Sequence, residues 1–478
     1  MTGVRVATAP ATEAALATEH VELRRGGDVG AMEKYRPGYA FWQNIFNIPD
    51  GSIAYGSATD GHLLAIFPTK GDWVRDVVWV DQSLAGTLDG VALPSDLDDR
   101  RDEVARLLER VVGPVMHNPT RGNFLLPNIE RYGRFINEWS AIYERFGVPA
   151  DLGLAQIVLE SGLSGTKRSE ARAIGFCQFL ESNWRRLNKL SDHTIEGYNQ
   201  TTQAPYCAAY LTILATKYGS FIPALSEHNS GGVNVGRTLI NGERLGGEDI
   251  RDRYFLGSQL ARDLRAISLM EYRDIYRTYG PRSYRYAEMV FGNTFTIRRM
   301  AATLPQSKIF AMRTARRIPL SEITRRTKLS ADEVRRHNPA LKSSVPARAT
   351  LYLPAYVKEF GADVSFWHRE PNAAYARALN DLVHIDLAAE EWENPAFGSV
   401  LRGLQQRFKA SRSEEGTVMA TVLEYVIGET FSSRRNAILA EFRASDDVQR
   451  LFERGVIERD AVRATRPVSG GVAENAVD

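Results

Sequence analysis

The chain has 478 residues, of which 44% are hydrophobic and 25% are charged, and its formal net charge is +2 at pH 7. This length predicts two to four domains, and the composition is typical of a folded globular protein, which excludes a disordered or fibrous class. The near balance of charge gives no reason to expect a nucleic acid as partner. No apolar stretch is long enough to predict a membrane span, and the first residues lack the pattern of an export signal.

The N-terminal part of the chain is read as two segments. Residues 1–40 are rich in Ala, Thr and Gly, which predicts a flexible start. Aromatic and β-branched residues then cluster, and Pro49-Asp50-Gly51 and Asp60-Gly61 interrupt them. This pattern predicts a small strand-containing region over residues 41–119.

The middle of the chain is predicted to be helical. Apolar residues recur at helical spacing over residues 129–146, which predicts one amphipathic helix that ends before Gly147 and Pro149. A second helix is expected from about Ala150 to Ser161, and a third from Pro205 to Gly219, because proline is favoured in a first turn.

Glu160 closes the apolar run of the second helix, in the stretch LAQIVLESGLSG. A carboxyl group at an apolar helix end that faces a cleft is poorly solvated, which raises its pKa and keeps it protonated near neutral pH. Such a group can act as a general acid. Ser161 and two glycines within the next five residues suit a turn of the chain at a site.

Four segments then occur in order: GVPADLGLAQIVLESGLSG, AIGFCQF, PALSEHNSGG and SYRYAEMV. Together they resemble the signature segments of lytic transglycosylases of the soluble and membrane-bound D type. Those enzymes cleave the glycan strands of bacterial peptidoglycan on a goose-lysozyme-like helical fold. The resemblance covers roughly residues 120–300 and extends weakly back to FWQNIF.

The resemblance implies a role for each matching residue. Glu160 matches the single catalytic acid and base, and Ser161 a serine near the acid or the substrate. Gln178, Asn229 and Tyr286 match a glutamine of the glycan groove, an asparagine of the groove and a tyrosine placed over the glutamate. The implied reaction cleaves the bond between MurNAc and GlcNAc and leaves a 1,6-anhydro sugar, with neither a metal nor a cofactor.

The sequence departs from the family where Ala-Tyr-Asn is expected, because the chain has Glu227-His228-Asn229. We expect His228 to fill the space of the tyrosine next to the substrate, and Glu227 to point outward from a helix. If Glu227 instead pointed into the groove, a second carboxylate would be available to activate water, and hydrolysis would become possible.

An arginine-rich segment over residues 305–357 predicts a βααβ module. Ser330 and Glu333 form a capping box at the start of a short helix, and ATLYLP predicts the last strand. The segment resembles the later part of a LysM glycan-binding repeat, although Arg317-Ile318-Pro319-Leu320 replaces the usual Gly-Asp-Thr-Leu. Two other interpretations of its arginines are possible: they could contact phosphates, as in a helix-turn-helix, or they could be solvated surface charges.

Other features complete the prediction. Residues 358–465 are expected to form a helical region and residues 466–478 a disordered tail. Two buried thiols are expected at Cys177 and Cys207, with a single disulfide as the alternative. The histidines do not show metal-ligand spacing, and the segment 231–238 falls one residue short of a P-loop, so we interpret it as a glycine-rich turn that lines the cleft.

The fold class predicted from these patterns is mainly α (α+β), with a lysozyme-like catalytic domain over residues 120–300. The predicted function is that of a peptidoglycan lytic transglycosylase in the periplasm or cell envelope, with glycan strands as its partner. The alternatives are a muramidase that hydrolyses the same bond, and a peptidoglycan-binding component of a phage-like or secretion assembly with protein partners and little catalysis.

Overall fold

The computed structural model describes residues 12–267, 275, 283–357, 363–364, 366–387, 392, 394, 396–430 and 433–465. Across these ranges the chain is mainly helical and carries small antiparallel sheets, which confirms the predicted α-dominant α+β class. No helix of the described ranges has the length and apolar character needed to span a bilayer. The predicted tail, 466–478, lies outside the described residues.

The N-terminal segment is ordered from residue 12 onward, so the prediction of a flexible start over residues 1–40 is wrong for that part. Helix α1 spans Glu13–Tyr35, and the Thr12 side chain caps it. Asp28 of α1 is completely buried and accepts hydrogen bonds from Ser220, the Phe221 backbone and Arg251 at 2.6 to 2.7 Å. A buried carboxylate with three donors ties this helix to the rest of the fold.

The predicted strand-containing region forms a four-stranded antiparallel sheet in the order β3-β2-β1-β4. Its strands are β1 (Ser52–Ser57), β2 (Leu63–Pro68), β3 (Val78–Trp79) and β4 (Val115–Pro119). Helix α2 (Leu97–Val112) packs on it, and together they enclose a separate apolar core. Gly51 and Gly61, at the two predicted turns, both have positive φ angles, which glycine adopts without strain.

The helix predicted over residues 129–146 is two helices in the structure. Helix α3 (Gly122–Tyr132) and helix α4 (Ile136–Arg145) are separated by a 3₁₀ turn, Gly133–Phe135. A Cβ atom at Gly133 would lie 2.6 Å from Leu304 Cδ1, so the chain passes close to a neighbouring segment there. Glycine also has low helix propensity, and the apolar spacing continues across the break, which is why periodicity alone did not reveal it.

Helix α5 (Ala150–Ser161) has the predicted bounds, and a short hairpin of β5 (Ala173–Ile174) and β6 (Phe179–Leu180) follows it. Helix α6 spans Glu181–Leu190. Helix α7 spans Gln200–Tyr218, so it begins five residues before the predicted start at Pro205. The reason is the Asn199 side chain, which accepts a hydrogen bond from Thr202 N and caps the helix earlier.

In the described residues of the central part, four further helices follow: α8 (Phe221–Ser230), α9 (Gly232–Arg244), α10 (Ile250–Ile267) and α11 (Tyr286–Thr303). The glycine-rich turn predicted over residues 231–238 is therefore wrong, because α9 begins at Gly232. One apolar core joins these helices to α1 and to the C-terminal helices.

Residues 305–357 contain two helices flanked by strands, and the two short strands Ile318–Pro319 and Ser344–Val345 are additions to the predicted βααβ order. The LysM identity of the module stays a prediction. Its elements are β7 (Ile309–Arg313), β8 (Ile318–Pro319), α12 (Leu320–Thr327), α13 (Ala331–His337), β9 (Ser344–Val345) and β10 (Thr350–Pro354). Strand β10 pairs antiparallel to β7, and both hydrogen bonds of the Ser330–Glu333 capping box are present. Strand β11 (Asp363–Val364) adds to the other side of β7.

The C-terminal region is helical, as predicted. Its helices are α14 (Ala373–Val383), α15 (Phe397–Ala410), α16 (Glu414–Thr430), α17 (Ser433–Ala444) and α18 (Asp446–Thr465). Arg313 of the βααβ module pairs with Glu414 at 2.5 Å, and Arg348 donates to the Asp192 carbonyl at 2.7 Å. The module therefore contacts both the C-terminal region and the central helices directly.

Candidate active site

Glu160 lies in the last turn of α5, directly before the chain turns away at Gly162. Gly162 has a φ angle of +56°, and a Cβ atom there would lie 2.3 Å from the Phe124 carbonyl oxygen. Glycine is therefore required at this position for both its backbone angle and its small size. The turn places the Glu160 side chain at the end of the helix, as the sequence predicted.

The Glu160 side chain is mostly shielded from water, with 14% of its surface exposed. Burial raises the pKa of this carboxyl group to about 7, and a hydrogen bond from Tyr286 opposes the rise. The negative end of the helix dipole also disfavours a carboxylate at this position. Glu160 is thus protonated below pH 7 and can release its proton near neutrality.

Tyr286 is the first residue of α11, and its buried hydroxyl group donates a hydrogen bond to Glu160 Oε1. Tyr286 therefore lies against the glutamate, and its predicted contact with a substrate stays a prediction. Burial and the charge of Glu160 raise the pKa of the Tyr286 hydroxyl well above its usual value. The phenol therefore stays protonated and remains a donor across the neutral pH range.

His228 of α8 also reaches the carboxyl group. Its Nε2 atom lies 3.6 Å from Glu160 Oε1 and 3.0 Å from the Cys177 carbonyl oxygen, and only 5% of its side chain is exposed. Burial lowers the pKa of His228 to about 4, so the imidazole is neutral at physiological pH. The imidazole therefore lies beside the acid, just beyond hydrogen-bond distance, and its contact with a substrate stays a prediction.

Ser161 and Gln178 have structural contacts that the sequence did not predict. The Ser161 hydroxyl is 1% exposed and donates to the Phe176 carbonyl at 2.8 Å. This hydrogen bond stabilises the loop beside Glu160. The Gln178 amide donates to the carbonyls of Gly175 and Lys167 at 2.9 and 3.1 Å. Both side chains shape the segment that carries Cys177.

Asn229 is exposed on α8, one residue after His228. It therefore lies on the solvent side of the helix that carries the imidazole. The predicted contact between Asn229 and a glycan stays a prediction.

Neither position considered for Glu227 is correct. Its side chain is 11% exposed, pairs with Lys217 Nζ at 3.0 Å and accepts a hydrogen bond from the Tyr218 hydroxyl. Burial alone would raise the pKa of Glu227, but Lys217 and Arg435 bring it below its ordinary value. The carboxylate is inside the protein because a buried lysine requires a partner, a constraint that local spacing does not show.

The sequence did not predict that Tyr143 lies beside Glu160. This α4 residue is buried beside Glu160, and burial, together with the charge of Glu160, raises the pKa of the Tyr143 hydroxyl. The hydroxyl makes no hydrogen bond within the described part of the chain. The helical spacing placed Tyr143 on an apolar face, and no sequence signal separates a core tyrosine from one that lines a site.

Cys177 and Cys207 form a disulfide, so the expectation of two free thiols is wrong and the alternative holds. The bond links the loop beside Glu160 to α7. Both cysteines are buried, as predicted, and the pairing was not readable from a separation of 30 residues.

Comparison with known proteins adds no assignment: no protein-family model matches this chain, and a search of curated proteins finds no match either. The functional argument therefore depends on the residues and their geometry.

Proposed function

We propose that this chain is a lytic transglycosylase that cleaves the bond between MurNAc and GlcNAc in peptidoglycan. The observation that carries the proposal is the buried Glu160 carboxyl group, whose pKa of about 7 matches the work of a general acid near neutral pH. Tyr286, which the family resemblance selected, donates to one carboxyl oxygen, and His228, which replaces the tyrosine expected in the family, lies 3.6 Å from the same atom.

In the proposed reaction, Glu160 protonates the glycosidic oxygen while the bond breaks through an oxocarbenium-like state. The resulting carboxylate then accepts the proton of the C6 hydroxyl of the same MurNAc, and the C6 oxygen closes the 1,6-anhydro ring. One carboxyl group suffices because the nucleophile belongs to the substrate and is already held in place.

The state of Glu227 favours transglycosylation over hydrolysis. An inverting glycosidase uses a second carboxylate, set apart from the acid, to activate water. Glu227 is the nearest carboxylate to His228 in the sequence, but Lys217 and Tyr218 engage it inside the protein. Glu227 is therefore not available as the general base that hydrolysis by a muramidase would need.

The packing of the helices and the disulfide bond support two further parts of the proposal, the type of catalytic domain and the location of the protein. The helices that bear Glu160, His228 and Tyr286 pack around one core, which supports the proposal of a lysozyme-like catalytic domain. The Cys177–Cys207 disulfide supports a periplasmic or envelope location, because such bonds persist in oxidising compartments.

Digestion of purified peptidoglycan sacculi tests the proposal. We expect the native chain to release anhydro-muropeptides, detected by mass spectrometry, and Glu160→Gln to lose at least about a thousandfold in rate because the amide cannot donate an acidic proton. Glu170→Gln, at an exposed glutamate ten residues further on, is the matched control and should keep the native rate.

Equal rates for the native chain and Glu160→Gln would contradict the proposal. Binding of sacculi without any soluble product would favour the alternative of a peptidoglycan-binding structural component.

A further inference from the structure

Two polar groups approach one oxygen of the Glu160 carboxyl group, one in a hydrogen bond and the other just beyond hydrogen-bond distance. The Tyr286 hydroxyl donates to Oε1, and His228 Nε2 lies 3.6 Å from the same atom. In a protonated carboxyl group, the oxygen without the proton is the better acceptor, and the other oxygen carries the acidic hydrogen. This arrangement assigns the transferable proton to Oε2.

The orientation of His228 follows from its second contact. A backbone carbonyl oxygen can only accept, so the 3.0 Å contact with the Cys177 carbonyl requires a hydrogen on Nε2. Burial lowers the pKa of His228 to about 4, which leaves this as the single N–H of a neutral ring at pH 5 to 8. The imidazole packs against the rings of Phe179 and Tyr210, whose centroids lie 5.3 and 6.0 Å away.

The Cys177 carbonyl group is itself fixed by several contacts. Cys177 is bonded to Cys207 of α7, and the neighbouring Phe176 carbonyl accepts from Ser161 at 2.8 Å. The Phe176 backbone N–H donates to Gln203 Oε1 at 2.6 Å. The direction of the His228 N–H toward the Cys177 carbonyl is therefore fixed by the contacts of this loop, and Glu160 Oε1 lies 3.6 Å from the same nitrogen.

We propose that His228 is a positioning residue for Glu160, which holds Oε1 together with Tyr286 so that Oε2 delivers the proton. This inference rests on the proposed function. In the first step the Oε2–H bond breaks, the proton passes to the glycosidic oxygen, and the electrons of the C1–O bond leave with that oxygen. The negative charge that forms on the carboxylate is shared with Oε1, the oxygen that the Tyr286 hydroxyl and the His228 N–H approach.

In the second step the C6 oxygen bonds to C1, and the C6 hydroxyl proton returns to Oε2. The His228 N–H, shared between the Cys177 carbonyl and Oε1, shifts toward Oε1 while that oxygen carries charge and returns afterwards. A neutral donor fits this task because a permanently charged imidazolium would hold Glu160 ionised and prevent it from acting as an acid.

Among the described residues, the ionisable side chains that face Glu160 from the neighbouring helices are Tyr143, Tyr286 and His228. Burial raises the pKa of both tyrosines and lowers that of the histidine, so all three stay neutral between pH 5 and 8. The midpoint of the Glu160 signal in that range is therefore not altered by the titration of these three neighbours.

The test is a carbon-13 NMR titration of the Glu160 carboxyl carbon in full-length protein labelled at glutamate, with the signal assigned by its loss in Glu160→Gln. His228→Gln keeps an N–H donor at a similar reach, whereas His228→Met has similar volume and no donor. We expect the midpoint in His228→Met to lie about one pH unit above that in His228→Gln, a tenfold change in the ionisation constant. Equal midpoints in the two variants would overturn the proposal.

A second measurement needs no substitution. Nitrogen-15 NMR of histidine-labelled native protein should show His228 protonated only at Nε2 from pH 5 to 8. An Nδ1–H tautomer, or an imidazolium at pH 6, would overturn the proposal.

Neither measurement uses a substrate, so the two levels of the argument fail separately. If the NMR results are as expected but sacculi yield no anhydro products, the proposed function fails and the pairing of His228 with Glu160 stands.

Discussion

Burial of the Glu160 carboxyl group carries a cost in stability that depends on pH. Its pKa is about 7 in the folded protein, against an ordinary value of 4.5. Below pH 4.5 the group is protonated in both states and the cost is absent. Above pH 7 the folded protein must hold a poorly solvated carboxylate, and a shift of this size corresponds to about 3 kcal/mol.

Glu160→Gln should therefore increase the free energy of unfolding by up to about 3 kcal/mol at pH 8 and leave it nearly unchanged at pH 4. Denaturant unfolding at the two pH values measures this difference, and Glu170→Gln serves as the exposed control. A change of the same size at both pH values would mean that the pKa of Glu160 is ordinary.

Glu160 could be predicted from the sequence because its signal is local: a carboxyl group at the end of an apolar run, two residues before a glycine. The partners were harder to predict. Tyr286 and His228 come from distant parts of the chain and were selected by family resemblance, while the carbonyl of Cys177 carries no side-chain signal at all. The burial of Glu227 depends on Lys217, ten residues away in another helix.

Among the elements, the packing of α4 against α5 controls the neighbourhood of the acid. A Cβ atom at Gly153 of α5 would lie 2.1 Å from Tyr143 Cδ1, and the Tyr143 ring has no room to retreat because it is completely buried. Glycine at this point lets the two helices approach closely enough to bring Tyr143 beside Glu160.

Gly153→Ala should destabilise the protein by about 1 to 3 kcal/mol, as overpacking does, and should also slow sacculus digestion because Tyr143 is displaced. Gly403→Ala is the matched control, since Gly403 lies inside α15 with nothing within 4 Å of its would-be Cβ atom. That variant should be neutral or more stable by up to about 1 kcal/mol. Equal effects of the two substitutions on unfolding would show that the close approach is absent.

The spacing of apolar residues predicted where helices form, but it predicted their first and last residues less well. The bounds of α5 were predicted because proline and glycine flank it, and the capping box at Ser330 was readable as a motif. The break at Gly133 and the early start of α7 depend on a contact with Leu304 and on a cap at Asn199. Such tertiary and side-chain contacts override the spacing of apolar residues.

For the whole molecule, α1 connects the N-terminal segment to the helix that carries His228. Asp28 binds Ser220 and the Phe221 N–H at the start of α8, the helix that carries His228. Its carboxylate also pairs with Arg251 at 2.7 Å. Composition suggested a flexible start because α1 contains several Gly and Ala residues, and its order comes from these long-range contacts instead.

Asp28→Ala should cost about 3 to 5 kcal/mol of unfolding free energy, because it removes a buried charge and leaves Arg251 without its carboxylate partner. Glu33→Ala, at an exposed position of the same helix, should change the free energy by less than about 0.5 kcal/mol. Denaturant unfolding compares the two, and a loss below 1 kcal/mol for Asp28→Ala would show that α1 is only loosely attached.

Digestion of sacculi in water enriched in oxygen-18 tests the central claim most directly. If Glu160 works alone and the C6 hydroxyl attacks, the released muropeptides end in 1,6-anhydro-MurNAc and carry no heavy oxygen, because no solvent atom enters the product. Reducing ends that carry oxygen-18 would show hydrolysis instead, and sacculi that stay intact would contradict the enzymatic role of Glu160.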